Sequence, residues 1–390
     1  MSIIQNFSER GLIAGSTDLS ELESQLSTPT TFYGGFDPTA DSLHVGHLVP
    51  ILAIKRLKDA GHNPLIVIGG ATALIGDPSG KTSARKILTK VEVFKNSIKI
   101  GNQIKKITGD AKILNNHDWI KELSWIDMLR DIGSHFSVNK MLSMDSVSSR
   151  LQDGLSFLEF NYMILQAFDF AHLHKEFGCK LQIGGSDQWG NMVMGIELGR
   201  KLFDANLFAL TLPLATKADG GKFGKTESGS IWLDSEKTPV DDFFQFWRNV
   251  SDFDVKKFLN LFTLKSVVEI NELTKGTGSE LNFAKEELAF SVTSLVHGVE
   301  IAELAREQAR KAFSGDSEAM KVIEAKDTNI LNILLEAGVE SKSAGKGLMN
   351  QNGIHWNGEL VKRDRILTKE DFPGVLQIGK KKFFKVVLVS

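Results

Sequence analysis

Short apolar runs that close on glycine alternate with amphipathic segments in the first half of the chain. Residues 30–36 are β-branched and aromatic and run into two glycines, and residues 64–70 are apolar and end in a glycine pair. Between these runs, from Val45 onward, apolar residues recur at helical spacing. This order of strand, helix and strand predicts a parallel, doubly wound sheet of the Rossmann-like α/β type, whose ligands lie at the carboxyl ends of its strands.

The same periodicities extend this predicted catalytic domain over residues 1–216. The further elements predicted in it are two short helices in residues 5–27, helices at 89–107 and 156–176, and strands at 111–114, 179–183 and 207–212. Residues 117–155 alternate helical and polar stretches, which indicates a helical insertion between the two halves of the sheet.

Three further parts are predicted after this domain. Residues 217–230 are a glycine-rich loop, residues 231–326 form an all-helical domain, and residues 327–390 form a small α+β unit. From 331 to 390 the chain has 10 Lys and Arg and 6 Asp and Glu, a net charge of +4, so the rest carries −6 of the total of −2. Basic charge concentrated in a terminal unit favours contact with a nucleic-acid backbone over a solvated face.

Composition indicates an ordinary soluble protein. Apolar residues make up 42% and charged residues 24% of the 390 residues, and the net charge of −2 excludes a globally basic protein. Cys179 is the only cysteine, which excludes an internal disulfide and a zinc site made of cysteines. The start lacks the pattern of a secretory signal, and no run approaches the ~18 apolar residues that span a bilayer. These features predict a cytoplasmic protein without a membrane segment.

Two imidazoles, His44 and His47, lie where the first long helix is predicted to begin. A helix start presents unpaired backbone N–H groups and the positive end of the helix dipole, and Gly46 leaves the backbone open for close approach. Such a site suits a phosphate group. The alternative is that the histidines only cap the helix or lie on its surface.

The loop after the second strand offers further polar groups. Gly80–Thr82 resembles the end of a phosphate-binding P-loop, but that motif requires glycine where the chain has Ile75. This difference argues against a P-loop NTPase. Lys81 and Arg85 remain candidates for contact with phosphate, and Asp77 is a candidate for contact with an ammonium group.

Tyr162, Gln166 and Asp169 are spaced i, i+4 and i+7, so one stripe of the helix predicted at 156–176 carries a phenol, an amide and a carboxylate. Their neighbours are apolar, which predicts that these groups are half buried. Because a buried carboxylate without a partner is costly, the stripe indicates either an internal hydrogen-bond network or a ligand. The spacing favours neither alternative.

Two more loops carry candidate groups. Asp187 follows two glycines at the end of a predicted strand, a position suited either to ribose hydroxyls or to capping the next helix. Residues 217–230, called the signature loop below, carry Lys222 and Lys225. This loop is suited either to closing over a polyphosphate, where its lysines neutralise charge, or to serving as a solvated linker.

Three motifs in order resemble a class I aminoacyl-tRNA synthetase: a strand followed by His44-Val45-Gly46-His47, the Gly184–Asp187 turn, and Lys222–Thr226 in the signature loop. In detail the chain resembles the bacterial tyrosyl-tRNA synthetases from about residue 5 to its end. The segments that carry this closer resemblance are Phe36–His47, Gly69–Gly80, Leu181–Asn191 and Lys217–Thr226. The terminal unit resembles the S4-like RNA-binding module.

The resemblance implies a tyrosine–tRNA ligase that activates L-tyrosine with ATP and transfers the tyrosyl group to the 3′ end of tRNA(Tyr). It also implies Mg²⁺ as a companion of ATP, and a homodimer. The residues assigned to tyrosine are Tyr33 and Asp169 at the phenolic hydroxyl, Asp77, Tyr162 and Gln166 at the α-ammonium group, and Gln188. Those assigned to ATP are Gly35 and Asp37, the catalytic Thr39, His44 and His47 at the phosphates, Gly46 beside adenine, and Gly185 and Asp187 at the ribose. Those assigned to the transition state are Lys81, Arg85, Lys222, Lys225 and Thr226.

Two other interpretations stay open. A tryptophanyl relative shares the core, but Tyr33 and Asp169 suit a phenol better than an indole, which has one N–H donor and no acceptor. A non-catalytic RNA-binding relative is expected to have lost the signature segments, which are intact here.

The chain departs from the family pattern at three places. Gly34 stands where some members have cysteine, which removes one expected ribose contact. Residues 341–349, the helix of the terminal module, are poor in arginine and contain glycine, which predicts a weaker grip on tRNA. Pro50 lies early in the helix after His47, where proline is tolerated only in the first turn.

Overall fold

The computed structural model describes residues 2–79, 88–151, 154–218, 220–221, 223–226, 229–313, 320–379 and 382–389. The chain divides into two compact units. Unit 1 combines residues 1–239 with 250–296, and unit 2 combines residues 240–249 with 297–390. The domain boundaries that the sequence predicts at 216, 230 and 326 stay predictions.

Helices and strands alternate through the first half of the chain, as the sequence predicts. In chain order the helices are α1 (Ile3–Glu9), α2 (Leu19–Gln25), α3 (Leu48–Asp59), α4 (Lys90–Thr108), α5 (His117–Ile120), α6 (Trp125–Asp127), α7 (Val138–Ser143), α8 (Asp145–Ser148), α9 (Phe157–Phe160), α10 (Tyr162–Phe177), α11 (Trp189–Phe203), α12 (Val240–Arg248), α13 (Asp252–Phe262), α14 (Val267–Leu273), α15 (Leu281–His297), α16 (Val299–Phe313), α17 (Ile330–Glu336) and α18 (Lys342–Asn350). The strands are β1 (Gly15–Ser16), β2 (Thr31–Phe36), β3 (Asn63–Ile68), β4 (Lys112–Asn115), β5 (Leu181–Gly185), β6 (Phe208–Leu212), β7 (Lys225–Thr226), β8 (Gly229–Ser230), β9 (Lys321–Ala325), β10 (Ile354–Trp356), β11 (Glu359–Leu360), β12 (Gly374–Ile378) and β13 (Lys382–Leu388).

The described part of unit 1 contains a six-stranded sheet with the order β1-β6-β5-β2-β3-β4. Strands β2 to β6 are parallel, and β1 pairs antiparallel with β6 at the edge. The strand order reverses between the neighbouring strands β2 and β5, so their carboxyl ends form the switch point where doubly wound sheets bind ligands. The predicted doubly wound sheet is confirmed, and β1 is an edge strand that the pattern of residues 5–27 did not reveal.

The helix after β2 begins later than the sequence predicts. Val45–His47 form a single 3₁₀ turn, and α3 starts at Leu48. Pro50 is therefore the third residue of α3, where a backbone N–H has no partner inside the helix and its loss costs little. The apolar positions predicted to face the core, among them Ile51 and Ile54, are fully buried.

The single helix predicted at 156–176 consists of two helices that meet at Asn161. Ser156 and Glu159 form a reciprocal capping box at the start of α9. Asn161 ends this short helix, and α10 begins at Tyr162. Helix α10 carries the predicted polar stripe and packs along α11. The short helices α7 and α8 of the insertion contribute buried residues such as Met141 and Val147 to a core shared with α10 and α11.

From Val240 to Phe313 the chain forms helices α12 to α16. The sequence predicts an all-helical domain over residues 231–326, but residues 231–239 form no helix and Lys321–Ala325 form strand β9, so that prediction is wrong at both ends. Beyond Phe313, unit 2 contains a five-stranded sheet with the order β11-β10-β12-β13-β9, in which β13 and β9 are parallel and the other pairs are antiparallel. Helices α17 and α18 accompany this sheet, and buried residues such as Leu331, Trp356 and Leu376 form its core. The predicted α+β terminal module is confirmed as a fold.

Candidate active site

The carboxyl ends of β2 and β5 carry glycines and polar residues at the switch point of the sheet. Asp37 and Thr39 follow β2, while β5 ends at Gly185 and is followed by Asp187. Gly35, near the end of β2, is exposed, and a Cβ added there has no atom within 4 Å. The sheet therefore presents open backbone at the place where ligands of this fold bind.

Tyr33 and Asp169 bring two buried oxygen-bearing groups close together. Tyr33 is 2% exposed, its ring packs on Phe170, and its hydroxyl has no hydrogen-bond partner within the described ranges. Burial and then the negative charge of Asp169 raise the pKa of Tyr33 well above its usual value, so the hydroxyl stays neutral. A buried hydroxyl without a partner costs about 1–3 kcal/mol, which points to a ligand as its partner.

Two side chains donate hydrogen bonds to the buried carboxylate of Asp169. Trp119 Nε1 donates to Oδ1 at 2.8 Å, and Asn116 Nδ2 donates to Oδ2 at 3.0 Å. Burial raises the pKa of Asp169 to about 7, although these two donors lower it. Asn116 is itself fixed, because it also donates to Thr72 Oγ1 and accepts from the backbone N–H of Ala71. Each carboxylate oxygen can accept more than one hydrogen bond, so this internal network leaves capacity for a ligand.

A second carboxylate, Asp37, continues the network to helix α10. Thr72 Oγ1 donates to Asp37 Oδ1 at 2.7 Å, and the Tyr162 hydroxyl donates to Oδ2 at 2.8 Å. Glycine at position 69 makes this possible, since a Cβ on Gly69 would lie 1.9 Å from Oδ1. The polar stripe of α10 therefore includes one carboxylate, Asp169, and binds a second, Asp37, through the Tyr162 hydroxyl.

Asp77, Gln166 and Gln188 belong to a neighbouring group that Asn191 connects. Gln188 Nε2 donates to Asp77 Oδ2 at 2.7 Å, and the backbone N–H of Ser79 donates to Oδ1 at 2.9 Å. Asn191 Nδ2 donates to the side-chain oxygens of Gln166 and Gln188, each at 3.2 Å. A buried carboxylate beside amide oxygens makes this group rich in acceptors, which suits a ligand that carries an ammonium group.

His44 and His47 accept backbone hydrogen bonds through the same ring nitrogen. His44 Nδ1 accepts from the N–H of Gly46 at 3.1 Å, and His47 Nδ1 accepts from the N–H of His44 at 3.2 Å. Because a backbone N–H only donates, the bond from Gly46 places the proton of a neutral His44 ring on Nε2. His47 Nδ1 also lies 3.3 Å from the backbone oxygen of His44, so its contacts fit either tautomer. Desolvation and then His44 lower the pKa of His47 to about 3, so this ring is a neutral donor at physiological pH.

The capping alternative for the two histidines is thus correct for Nδ1, and it leaves Nε2–H of His44 as a donor. Gly46 is required by this arrangement, because a Cβ there would lie 2.8 Å from Cε1 of His44. The Trp232 ring meets the His44 ring edge-on with 6.2 Å between centroids and supports its orientation.

The segment after the signature loop pairs with the histidine motif. The N–H of Val45 donates to Ile231 O at 3.0 Å, and the N–H of Leu233 donates to Leu43 O at 2.8 Å. Gly224 lies against Val45 with a φ of +80°, and a Cβ added to it would lie only 2.6 Å from Val45 Cγ2. These contacts place the signature loop and the histidine turn side by side.

Asp187 lies in the 3₁₀ turn Ser186–Gln188 and folds back over Gly185. Its carboxylate accepts from Gln188 Nε2 at 3.0 Å. Helix α11 begins at Trp189 without a side-chain cap, so the alternative in which Asp187 caps the next helix is wrong.

Residues 25–314 match the family model of the class I tRNA synthetases (W and Y). The tyrosine–tRNA ligase of Treponema denticola is 45% identical to this chain over 97% of both chains, and that of Caldanaerobacter subterraneus subsp. tengcongensis is 43% identical over 100% of both. The chain belongs to the tyrosine–tRNA ligase family. The crystal structure of a C-terminally truncated mitochondrial tyrosyl-tRNA synthetase of Aspergillus nidulans has a TM-score of 0.71 at 28% identity and covers 80% of this chain and 94% of its own.

Membership of the tyrosine–tRNA ligases makes the chain an enzyme of the class I aminoacyl-tRNA synthetases, which confirms the resemblance drawn from the motifs. The family model covers W and Y together, whereas the relatives named above are tyrosine–tRNA ligases over their whole length. The tryptophanyl interpretation and the inactive relative are therefore less well supported than a tyrosine enzyme.

The structure describes most of the residues that the resemblance assigns to the ligase site. The structure joins Tyr33, Asp37, Tyr162 and Asp169 in one group and Asp77, Gln166, Asp187 and Gln188 in a second. His44, Gly46 and His47 form a third group at the turn before α3, and Gly35, Thr39 and Gly185 lie at or just after the ends of β2 and β5. Lys81, Arg85 and Lys222 lie outside the described residues. For Lys225 and Thr226 the structure gives the backbone, as strand β7 paired with β8.

Three residues of the ligase site escaped the sequence interpretation: Thr72, Asn116 and Trp119. Asn116 directly follows strand β4 of the parallel sheet, at the edge where ligands of this fold bind, so its position was a signal that the sequence interpretation did not use. Thr72 and Trp119 carry no such signal, because only the folded chain brings them to Asp37 and Asp169.

Within the described ranges, no group of three or more His, Cys, Asp and Glu side chains is arranged to hold a metal ion. None of the helices in that part of the chain has the length and apolarity needed to cross a membrane.

Proposed function

We propose that the chain joins L-tyrosine to tRNA(Tyr) and that Tyr33 and Asp169 select the amino acid. The observation that carries this proposal is the buried Tyr33 hydroxyl, which lacks a partner in the described residues and lies beside the Asp169 carboxylate. A phenol supplies both the donor that Asp169 accepts and an acceptor for the Tyr33 hydroxyl. Phenylalanine supplies neither group, and an indole supplies only a donor.

The polar group around Asn191 receives the other end of the amino acid. Asp77 provides the negative charge, Gln166 and Tyr162 provide oxygens from helix α10, and Gln188 holds the Asp77 carboxylate in place. Because Gln166 and Tyr162 share a helix with Asp169, the two ends of a bound tyrosine are positioned by one rigid element.

ATP occupies the open backbone at the switch point in this proposal. Gly35 and Gly46 allow the nucleotide to approach, Asp37 lies at the same edge, and Gly185 and Asp187 meet the ribose. Thr39, His44 and His47 bind the phosphates, the histidines through ring N–H donors. A neutral imidazole is an effective donor here because it needs no proton exchange during the reaction.

The chemistry consists of two displacements without an enzyme nucleophile. A carboxylate oxygen of tyrosine attacks the α-phosphorus of ATP, the bond to the bridging oxygen breaks, and pyrophosphate leaves with the electron pair. A hydroxyl at the 3′ end of the tRNA then attacks the carbonyl carbon of tyrosyl-adenylate and AMP leaves. The enzyme positions the reactants and stabilises negative charge, for which Lys81, Arg85, Lys222, Lys225 and Thr226 are proposed.

Mg²⁺ is proposed to enter the site bound to the phosphates of ATP. The described residues offer no carboxylate cage for it, so a protein-held site is not part of the proposal. A cytoplasmic location is proposed as well, where tRNA and ATP are available and the single buried Cys179 stays reduced.

A homodimer is proposed through the helical insertion. This part of unit 1 and the adjoining helix α9 expose large apolar side chains: Trp125 (55% exposed), Ile126 (66%), Val138 (57%) and Phe157 (68%). Trp125 and Phe157 contact each other edge-on with 6.5 Å between centroids, so they form one patch. Exposed apolar patches of this kind mark interfaces. Light scattering is expected to give a dimer for the wild type and a monomer for Ile126→Glu; a wild-type monomer contradicts this proposal.

The reaction is tested by transfer of labelled tyrosine to tRNA. Wild-type protein is expected to charge tRNA with tyrosine and not with phenylalanine. Asp169→Asn keeps the size of the side chain and removes its charge, so it is expected to lose most of this activity. Charging that is unchanged in Asp169→Asn contradicts the role of Asp169, and a folded wild type that charges with no amino acid contradicts the proposed function.

A further inference from the structure

Helix α13 holds the signature loop at two places. The Phe223 ring, in the middle of the loop, lies 4.4 Å from the ring centroid of Phe258 and 5.2 Å from that of Phe262. Directly before the loop, Lys257 Nζ donates to the backbone oxygen of Thr216 at 2.8 Å. All three rings are buried, so the signature loop packs against α13 through Phe223.

The carboxyl end of α13 is held in turn by two arginines from elsewhere in unit 1. Arg56, in the last turn of α3, donates through Nη2 to three backbone oxygens of this end. These are the oxygens of Asn260 (3.1 Å), Leu261 (3.4 Å) and Thr263 (2.6 Å). Arg10, directly after α1, donates to the oxygens of Asn260 and Lys265.

Both guanidinium groups are buried, and neither forms an ion pair with an acidic side chain in the described part of the chain. Burial, and then the charge of Arg10, lower the pKa of Arg56 to about 9. In the described part of the chain, both groups therefore face the negative dipole end of α13 and backbone oxygens at or just beyond it, and Arg10 Nε also donates to Asn6 Oδ1 at 3.0 Å. Apolar side chains hold two helices together without the cost of burying two like charges, so stability alone does not account for this arrangement.

The same helix α3 carries Arg56 at one end and is preceded by the histidine turn at the other. Through Arg56, α13 and Phe223, the histidine turn and the signature loop are thus tied together a second time, besides the backbone pairing of Val45 with Ile231. The distance between the two phosphate-binding motifs depends on both connections.

We propose that Arg56, supported by Arg10, is a positioning residue for the activation step. By fixing the end of α13 it sets where Phe223 docks, and so how the described part of the signature loop is held beside the histidine turn. This inference rests on the proposed function, in which the signature loop contacts the phosphates of ATP. It differs from a purely structural role because it predicts a loss confined to the chemical step.

The test compares Arg56→Met with the wild type in tyrosine-dependent exchange of pyrophosphate into ATP. Arg56→Met keeps the apolar stem and removes every donor. We expect kcat to fall roughly ten- to a hundredfold, as for a small misplacement of reacting groups, while KM for tyrosine stays within about twofold. Lys58→Met is the matched control, because Lys58 lies in the same turn of α3 and holds Thr108 and Asp110 instead of α13. Its kcat is expected to be unchanged.

A double-mutant cycle with Phe223→Leu separates positioning from stability. If Arg56 acts through Phe223, the double variant loses little more kcat than either single variant. Arg56→Gln, which keeps an amide donor, is measured in parallel so that the result does not depend on the folding of Arg56→Met. The proposal is overturned if kcat is unchanged in both Arg56 variants, or if the losses of kcat in the double-mutant cycle are additive. It is also overturned if KM for tyrosine rises by as large a factor as kcat falls. A wild type without any exchange instead overturns the proposed function, so the two failures are distinguishable.

Discussion

Replacement of the Tyr33 hydroxyl is expected to have opposite effects on the stability of the fold and on the activity with tyrosine. Its buried hydroxyl has no partner in the described residues, so Tyr33→Phe removes an unsatisfied group and leaves the fold unchanged or stabilised by about 1 kcal/mol. The same change removes a hydrogen bond to the substrate phenol, so kcat/KM for tyrosine is expected to fall roughly fivefold. Thermal unfolding and pyrophosphate exchange check the two effects. A variant that is less stable and equally active contradicts the assignment.

Asp169 is expected to give the enzyme a pH dependence near neutrality. Its pKa of about 7 results mainly from burial, and a substrate phenol donates to the ionised form. Tyrosine binding is therefore expected to weaken as the pH falls through about 7, because the carboxyl then takes up a proton. The measurement is kcat/KM for tyrosine against pH on both sides of neutrality.

Trp119→Phe tests the cause of that profile. Trp119 donates to Asp169 and lowers its pKa, so loss of the indole N–H is expected to move the midpoint to higher pH. The shift is roughly one to two pH units, since a hydrogen bond to a charged group contributes about 1.5–3 kcal/mol. The dependence of KM for ATP on pH serves as the control and is expected to be the same in Trp119→Phe and the wild type. A midpoint that is unchanged or moves to lower pH contradicts Asp169 as the titrating group.

At the scale of elements, strand β2 is expected to expose backbone to ATP at Gly35. A Cβ at this position meets no atom within 4 Å, so Gly35→Ala is expected to leave the melting temperature unchanged. If the nucleotide lies over this backbone, the added methyl group raises KM for ATP and not KM for tyrosine. Gly347→Ala, in α18 and equally free of neighbours, is the matched control. If Gly35→Ala and Gly347→Ala have the same KM for ATP, the nucleotide does not lie over the backbone of Gly35.

The elements and the first contacts of the site could be predicted from sequence because their signals are local. Glycines after apolar runs marked the ends of β2 and β5, and the spacing of Tyr162 and Asp169 placed them on one face of α10. The break at Asn161 and the delayed start of α3 depend on capping and turn geometry, which periodicity does not record. Arg56 could not be found, because its partners in α13 lie about two hundred residues away in the chain.

At the scale of the whole molecule, the terminal module concentrates positive charge in a chain whose remainder is negative. Lys342 and Lys346 are exposed on α18 at i, i+4 spacing, so they share one face of that helix. Lys342→Glu with Lys346→Glu is expected to raise KM for tRNA and to reduce the salt dependence of charging. Pyrophosphate exchange requires no tRNA and is expected to be unchanged. If charging keeps its KM for tRNA, this face of the module does not contact the nucleic acid.

The central claim is that this chain activates tyrosine through Tyr33 and Asp169. Its most direct test is amino-acid-dependent exchange of pyrophosphate into ATP, with tyrosine, phenylalanine and tryptophan side by side and Asp169→Ala beside the wild type. The account predicts exchange with tyrosine alone and a large loss in Asp169→Ala. Exchange with tryptophan, or none with any of the three in a folded wild type, contradicts it.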